Sequence, residues 1–340
     1  MSDITVFFAT NRNYLPDNKK AVFGAHFNPD GVAALRFGKA VYTKTPKTPH
    51  LDGVSVYPEI KTDDAFAKQG SAAFMEDLRQ AMKGERSDTL VFIHGFNVSF
   101  NGALDAGARL AAQVSVQGRP VNVVVFSWPS DGEAIPLMSY YSDREDARAS
   151  GPALARAFLK LRDYVSGLPE DDYCNRCLHL LTHSMGGYVL RQGLQALIAK
   201  DPKDLVRLFD QIVLAAPDED DDAFERDDKL RPLPRIGRSV TVYFNPNDRA
   251  LIISDKTKAN PDRLGSDGPR MIDLLPKKVA LVDCRVVGGD GDTLARHSYY
   301  VGSRAVAADL GYVLAGEEPG VIVNRAYIDA ERAWRIVKEL

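Results

Sequence analysis

Six short apolar runs punctuate the chain from Thr89 onward: TLVFIHG, VNVVVFSW, CLHLLTHS, QIVLAAPD, SVTVYFNPND and, near Lys278, KVALVDCRVV. Their near-continuous Val, Ile and Leu content is that of strands covered on both faces, not of strands with one face in water. Segments with apolar residues at helical spacing lie between them, at Asn101 to Gln113, Tyr141 to Val165 and Tyr188 to Ala199. The N-terminal third carries shorter β-like runs, ITVFFAT, KAVYTK and GVSVY, and then an amphipathic stretch from about Asp63 to Lys83. Strands alternating with helices predict an α/β protein with a mostly parallel, doubly wound sheet and right-handed crossovers. The pattern predicts a single domain over 1–340, with N-terminal strands in 1–62, a core in 63–315 and a C-terminal segment, 316–340. There, RAYIDAERAWRIVKEL reads as an amphipathic helix.

Sheets of this kind bind ligands beyond the carboxyl ends of their strands, so the polar residues that follow each run carry the chemical interest. They are His94, Ser184, Asp218, Asp248 and, past the last strand, His297. Ser184 stands out because LHLLTHSMGGY takes an apolar strand straight into a helix through Ser-Met-Gly-Gly. Such a turn strains the serine backbone and presents its hydroxyl at the tip, and it wants small residues two positions to either side. Gly186 meets that requirement. Thr182, where G-x-S-x-G has its first glycine, departs from it.

A serine nucleophile needs an imidazole to take its proton and a carboxylate to hold that imidazole's tautomer. Ser184, Asp248 and His297 occur in the chain order nucleophile, acid, base. Of the six histidines, only His297 follows the serine. Asp248 closes the tight polar turn N-P-N-D, whereas the alternative acid, Asp218, opens the run DEDDD, read here as a solvated face or helix start. The oxyanion that develops on a tetrahedral intermediate needs two amide donors. Met185 at the elbow and Phe96 after the His94-Gly95 turn are expected to supply them. His94, Trp128, Tyr140, Tyr141, Phe224 and Tyr299 follow strand ends and are candidates to line the substrate pocket.

Composition narrows the alternatives. The chain has 340 residues, and 43 basic against 46 acidic residues leave a net charge of −3 without a long basic face, which argues against nucleic-acid binding. The opening MSDITVFFATNRN lacks the basic flank and long apolar core of a signal peptide, and no run is long enough to span a bilayer, so a cytoplasmic location is expected. Three cysteines, Cys174, Cys177 and Cys284, are too few for a disulfide framework. The C-x-x-C of Cys174 and Cys177 has no second Cys or His pair at zinc spacing, so neither a metal nor an organic cofactor is expected. Only Asp218 to Arg238 separates two successive strands, too little for a large cap, and the irregular Ser254 to Lys278 stretch is the remaining candidate cover.

VFIHGFNVSF, VVFSWPS, YSDREDARA, LLTHSMGGYVLRQ, VLAAPD, NPNDRAL and HSYY together resemble the bacterial α/β-hydrolases grouped as an uncharacterised, esterase/lipase-like family. The resemblance spans roughly Ile4 to Leu310. It implies an α/β-hydrolase fold, with a mostly parallel eight-stranded-type central sheet, helices on both faces and a minimal cap, and a Ser/Asp/His triad. The resulting expectation is hydrolysis of small-molecule carboxylic esters through an acyl-enzyme. Amidase, peptidase, thioesterase or acyltransferase chemistry would use the same groups, and a non-catalytic hydrolase-fold binding or scaffold protein is the reading from a different class.

Overall fold

The computed structural model describes residues 3–18, 21–45, 48–58, 70–130, 136–251, 262–288 and 296–340. In chain order the strands are β1 (Ile4–Thr10), β2 (Arg12–Tyr14), β3 (Phe23–Phe27), β4 (Arg36–Thr43), β5 (His50–Val56), β6 (Thr89–Ile93), β7 (Ser115–Val116), β8 (Arg119–Pro120) and β9 (Asn122–Ser127). They continue with β10 (Leu178–His183), β11 (Phe209–Ala215), β12 (Gly237–Phe244), β13 (Val279–Asp283), β14 (Arg325–Ile328) and β15 (Ala333–Ile336). The main helices are α1 (Gly70–Glu85), α2 (Phe100–Gln113), α3 (Pro136–Ala149), α4 (Gly151–Ser166), α5 (Gly186–Lys200) and α6 (Arg304–Leu314).

Eleven strands form one sheet in the order β14-β15-β13-β12-β11-β10-β6-β9-β1-β4-β5. The run from β15 to β1 is parallel throughout. These eight strands make the sheet mostly parallel, as expected, and antiparallel β14 on one edge and β4–β5 on the other bring it to eleven strands. Alternate residues of each central strand feed two separate cores. Leu180, Ile212, Leu214, Val124 and Phe126 face the layer of α1, α4 and α5, while Leu181, Val213, Ala215, Val123 and Val125 face α2 and α6. Burial on both faces is why these strands read as continuous apolar runs and not as alternation.

Two expectations are corrected here. The C-terminal segment is not helical: residues 325–336 form the β14–β15 hairpin, and β15 lies parallel to β13 through Val282↔Trp334 and Asp283↔Arg335. Helix-favouring Ala, Glu and Arg are overridden because Ala333 and Ile336 bury themselves and Arg335 Nε donates to the buried Asp283 carboxylate at 2.7 Å. The helical pattern from Tyr141 to Val165 is broken at Ser150, since Pro152 lacks an amide hydrogen and starts a new helix, α4. Of the candidate cover, 254–261 lies outside the described residues. So does 63–69 of the amphipathic stretch, the rest of which is in α1.

Candidate active site

Ser184 sits between β10 and α5 with φ of +52°, the left-handed region that a side-chain-bearing residue adopts only when its surroundings impose it. Its amide donates to Ala215 O at 3.0 Å, and its carbonyl accepts from Gly187 N at 3.0 Å and Asp218 N at 3.1 Å. Both neighbouring glycines explain themselves sterically. A Cβ at Gly186 would lie 2.4 Å from Ile93 O and 2.7 Å from His94 O, and one at Gly95 would lie 2.9 Å from the Cβ of Ser184. Gly187 is less constrained: a Cβ there would meet only ordinary contacts, Pro217 Cβ at 3.5 Å and Thr182 Oγ1 at 3.8 Å.

Asp248 is fully buried at the turn after β12 and takes His297 Nδ1–H at 2.6 Å through Oδ2. Its other oxygen is held by the amides of Ala250 at 3.0 Å and Leu251 at 3.1 Å, so the carboxylate is fixed at both ends. The His297 segment docks on the elbow through His183, whose Nε2–H donates to His297 O at 3.2 Å and whose ring lies 4.6 Å from that of His297 and 4.3 Å from that of Tyr300. Burial, with His297 close by, holds the His183 pKa well below the usual imidazole value, so this ring stays neutral.

Asp218 does not meet His297. It is buried and accepts from Tyr140 Oη at 2.6 Å, with Arg263 Nε at 3.6 Å. The DEDDD run is not a solvated face. Glu219 is fully buried against Arg191 at 3.3 Å, Asp220 pairs with Lys229 at 2.8 Å and Arg263 at 2.5 Å, and Asp222 also binds Lys229. Burial raises the Glu219 pKa. Among the described residues, no three His, Cys, Asp or Glu side chains form a metal-binding group.

The loop after β6 carries the other expected donor, Phe96. Among the described residues, the amides of Phe96 and Met185 make no hydrogen bond to protein, whereas the rest of that loop is tightly bonded. Asn97, at φ of +56°, donates its amide to Asp143 at 2.9 Å, and Val98 donates to Ser130 Oγ at 3.1 Å, which itself donates to Asp143 at 2.5 Å. Arg12, almost wholly buried, reaches Val98 O at 2.7 Å, Ser127 Oγ at 2.9 Å and Ser130 O at 3.2 Å.

Four expected pocket-lining residues are corrected. His94, Trp128, Phe224 and Tyr299 are buried. His94 stacks on Trp128 with centroids 5.2 Å apart; its Nδ1–H donates to Gly95 O at 2.9 Å and Nε2 accepts Trp128 N–H at 3.2 Å. These partners fix the neutral tautomer, and burial pushes the pKa down to about 3. Tyr299 Oη donates to Tyr243 O at 3.0 Å, and Phe224 belongs to the core. Large aromatics after strand ends plug the sheet here instead of lining an opening. Tyr140 is half-buried with its ring 5.6 Å from that of Phe96, and Tyr141 is exposed.

Arg12, Ser130 and Asp143 escape a reading of the sequence alone. An arginine in TNRN and an aspartate in SDRED look solvated, and only the tertiary fold buries them; the places of Ser130 in VVFSWPS and of Asp143 in YSDREDARA, segments shared with the resembled family, are the available signal.

A model of the family described as "Alpha/beta hydrolase of unknown function (DUF900)" matches residues 70–313. Among solved structures, Aspergillus fumigatus lipase B is 13% identical over 85% of this chain and 67% of that one, with a TM-score of 0.40. A metagenomic carboxyl esterase is 14% identical over 82% and 67%, with a TM-score of 0.20. No curated protein matches the chain. Among the described residues, no helix is long and apolar enough to cross a membrane.

Proposed function

We propose, for a chain that belongs to the alpha/beta hydrolases of unknown function (DUF900), that it is a serine hydrolase cleaving small-molecule carboxylic esters through an acyl-enzyme. The observation that carries this reading is the 2.6 Å bond between a fully buried Asp248 and His297, on a segment docked on His183, the residue before the left-handed Ser184. Asp248 holds Nδ1 protonated, which leaves Nε2 as the acceptor for the Ser184 proton. The Oγ–C bond then forms as the carbonyl electrons move onto oxygen, where the amides of Met185 and Phe96 receive the charge. On collapse the C–O bond to the alcohol breaks, and the alkoxide takes the proton from His297. Water, deprotonated by the same imidazole, releases the acid and restores the serine. His94 and the Arg12–Ser130–Asp143 network hold the Phe96 loop in place and do not touch the reacting atoms.

The experiment is a panel of nitrophenyl esters of short and long acyl chains, beside the matching anilides and thioesters. Ester turnover above that of the Ser184→Ala protein supports the reading. Absence of turnover on every ester, with turnover of an anilide or thioester, moves the chemistry to another acyl class.

A further inference from the structure

A cavity system lies at the end of the sheet opposite Ser184, where β10, β11 and β12 begin at Leu178, Phe209 and Gly237. A surface cleft of about 460 Å³ there is floored by Met75, Leu78, Leu161, Leu178 and Phe209. The same five side chains line an inner apolar cavity of about 80 Å³ between the sheet and helices α1, α4 and α5. The cleft wall also carries four guanidinium groups, Arg79, Arg176, Arg207 and Arg238, against one carboxylate, Asp210.

These cations are not equivalent. Arg79 is clamped by Glu76 at 2.7 Å and Asp172 at 3.4 Å, and Arg238 pairs with Asp210 at 2.9 Å. Arg176 donates to Arg86 O at 3.3 Å and feels the charge of Asp88, which does not line the cleft. Arg207 is exposed and makes no ion pair among the described residues. An apolar floor backed by an internal cavity, under a rim with excess positive charge, matches a molecule with a tail and an anionic head. Cys174 and Cys177 form part of the wall.

We propose that this cleft binds a single-chain amphiphile of the fatty-acid class, with its carboxylate at Arg207 and Arg176 and its tail on the Leu78–Leu161–Phe209 floor. The site is remote from Ser184 and independent of the catalytic reading. Each methylene taken out of water strengthens binding roughly fourfold, and a charge-assisted guanidinium–carboxylate contact adds about tenfold or more.

The test titrates sodium decanoate onto the full-length Ser184→Ala protein by calorimetry, with acetate and decyltrimethylammonium as controls for tail and head. Decanoate is expected to bind far more tightly than either. Arg207→Glu at the exposed rim and Leu161→Trp at the half-buried floor should each weaken it by about tenfold. A diazirine-bearing decanoate should cross-link within 161–178 or 207–210. The proposal is overturned if decanoate does not bind, if both variants bind it as the parent does, if the cationic amphiphile binds equally well, or if cross-links fall only on 183–188. That last outcome would place the carboxylate in the catalytic site, leaving the esterase reading intact while removing this one.

Discussion

Replacing Asp248 by Asn keeps the side chain's shape and removes only its charge and acceptor symmetry. In the parent, one carboxylate oxygen accepts from the amides of Ala250 and Leu251 at 3.0 and 3.1 Å, and the other accepts from His297 Nδ1 at 2.6 Å. Asparagine has a single oxygen. The two fixed amides claim it, so the NH₂ group is turned toward His297. The imidazole must then offer Nδ1 as acceptor and carry its hydrogen on Nε2, where it can no longer take a proton from Ser184. A wrong tautomer of this kind lowers kcat on the order of ten-thousandfold, about 5.4 kcal/mol of transition-state stabilisation. The fold should lose far less, about 1–3 kcal/mol for one buried charge-assisted bond. Asp218→Asn keeps an acceptor for Tyr140 Oη and does not touch His297, so kcat should fall by less than about tenfold, under about 1.4 kcal/mol. Steady-state kinetics on a nitrophenyl ester and a urea melt of each variant measure both quantities. A kcat for Asp248→Asn within tenfold of the parent, or a larger loss for Asp218→Asn, refutes the tautomer argument.

Further outcomes follow from the same geometry. Gly186→Ala places a methyl 2.4 Å from Ile93 O and should destabilise the fold by about 1–3 kcal/mol or more, whereas Gly187→Ala, whose nearest contact is 3.5 Å, should stay within about 1 kcal/mol of the parent; equal urea midpoints would contradict this. Asp143→Asn weakens the bonds to Asn97 N and Ser130 Oγ, so kcat should drop tenfold to about a hundredfold with KM nearly constant, and a change confined to KM would argue for a substrate-binding role instead. His94 and His183 are both held below the ordinary imidazole value, His94 at about 3, so the unfolded chain takes up these protons first. Their contribution is complete above about pH 6.5 and is lost as pH falls below it, for His94 down to about 3, at up to about 1.4 kcal/mol per unit for each ring. Urea midpoints against pH should flatten in His94→Gln, and an unchanged slope would place the acid sensitivity elsewhere.

The parallel strands and the residues at their carboxyl ends were legible because burial on both faces writes continuous Val and Leu runs, and because the backbone of a tight elbow demands glycine at 186. The partnership of Asp248 with His297 could be anticipated from chain order and from the rigid N-P-N-D turn. Features that depend on the final packing were not legible. Arg12 and Asp143 look like surface residues until β9, the β6 loop and α3 close around them. The DEDDD run gives no sign in sequence that Arg191, Lys229 and Arg263 will neutralise it, and β14–β15 has helical composition but completes a sheet edge.

Every step of the proposed chemistry starts from the Ser184 hydroxyl as nucleophile. Intact-mass measurement after exposure to a fluorophosphonate should show one adduct per chain in the parent, located by digestion on Ser184, and none in Ser184→Ala. Adduct formation on the Ser184→Ala protein at the parent's rate would contradict it.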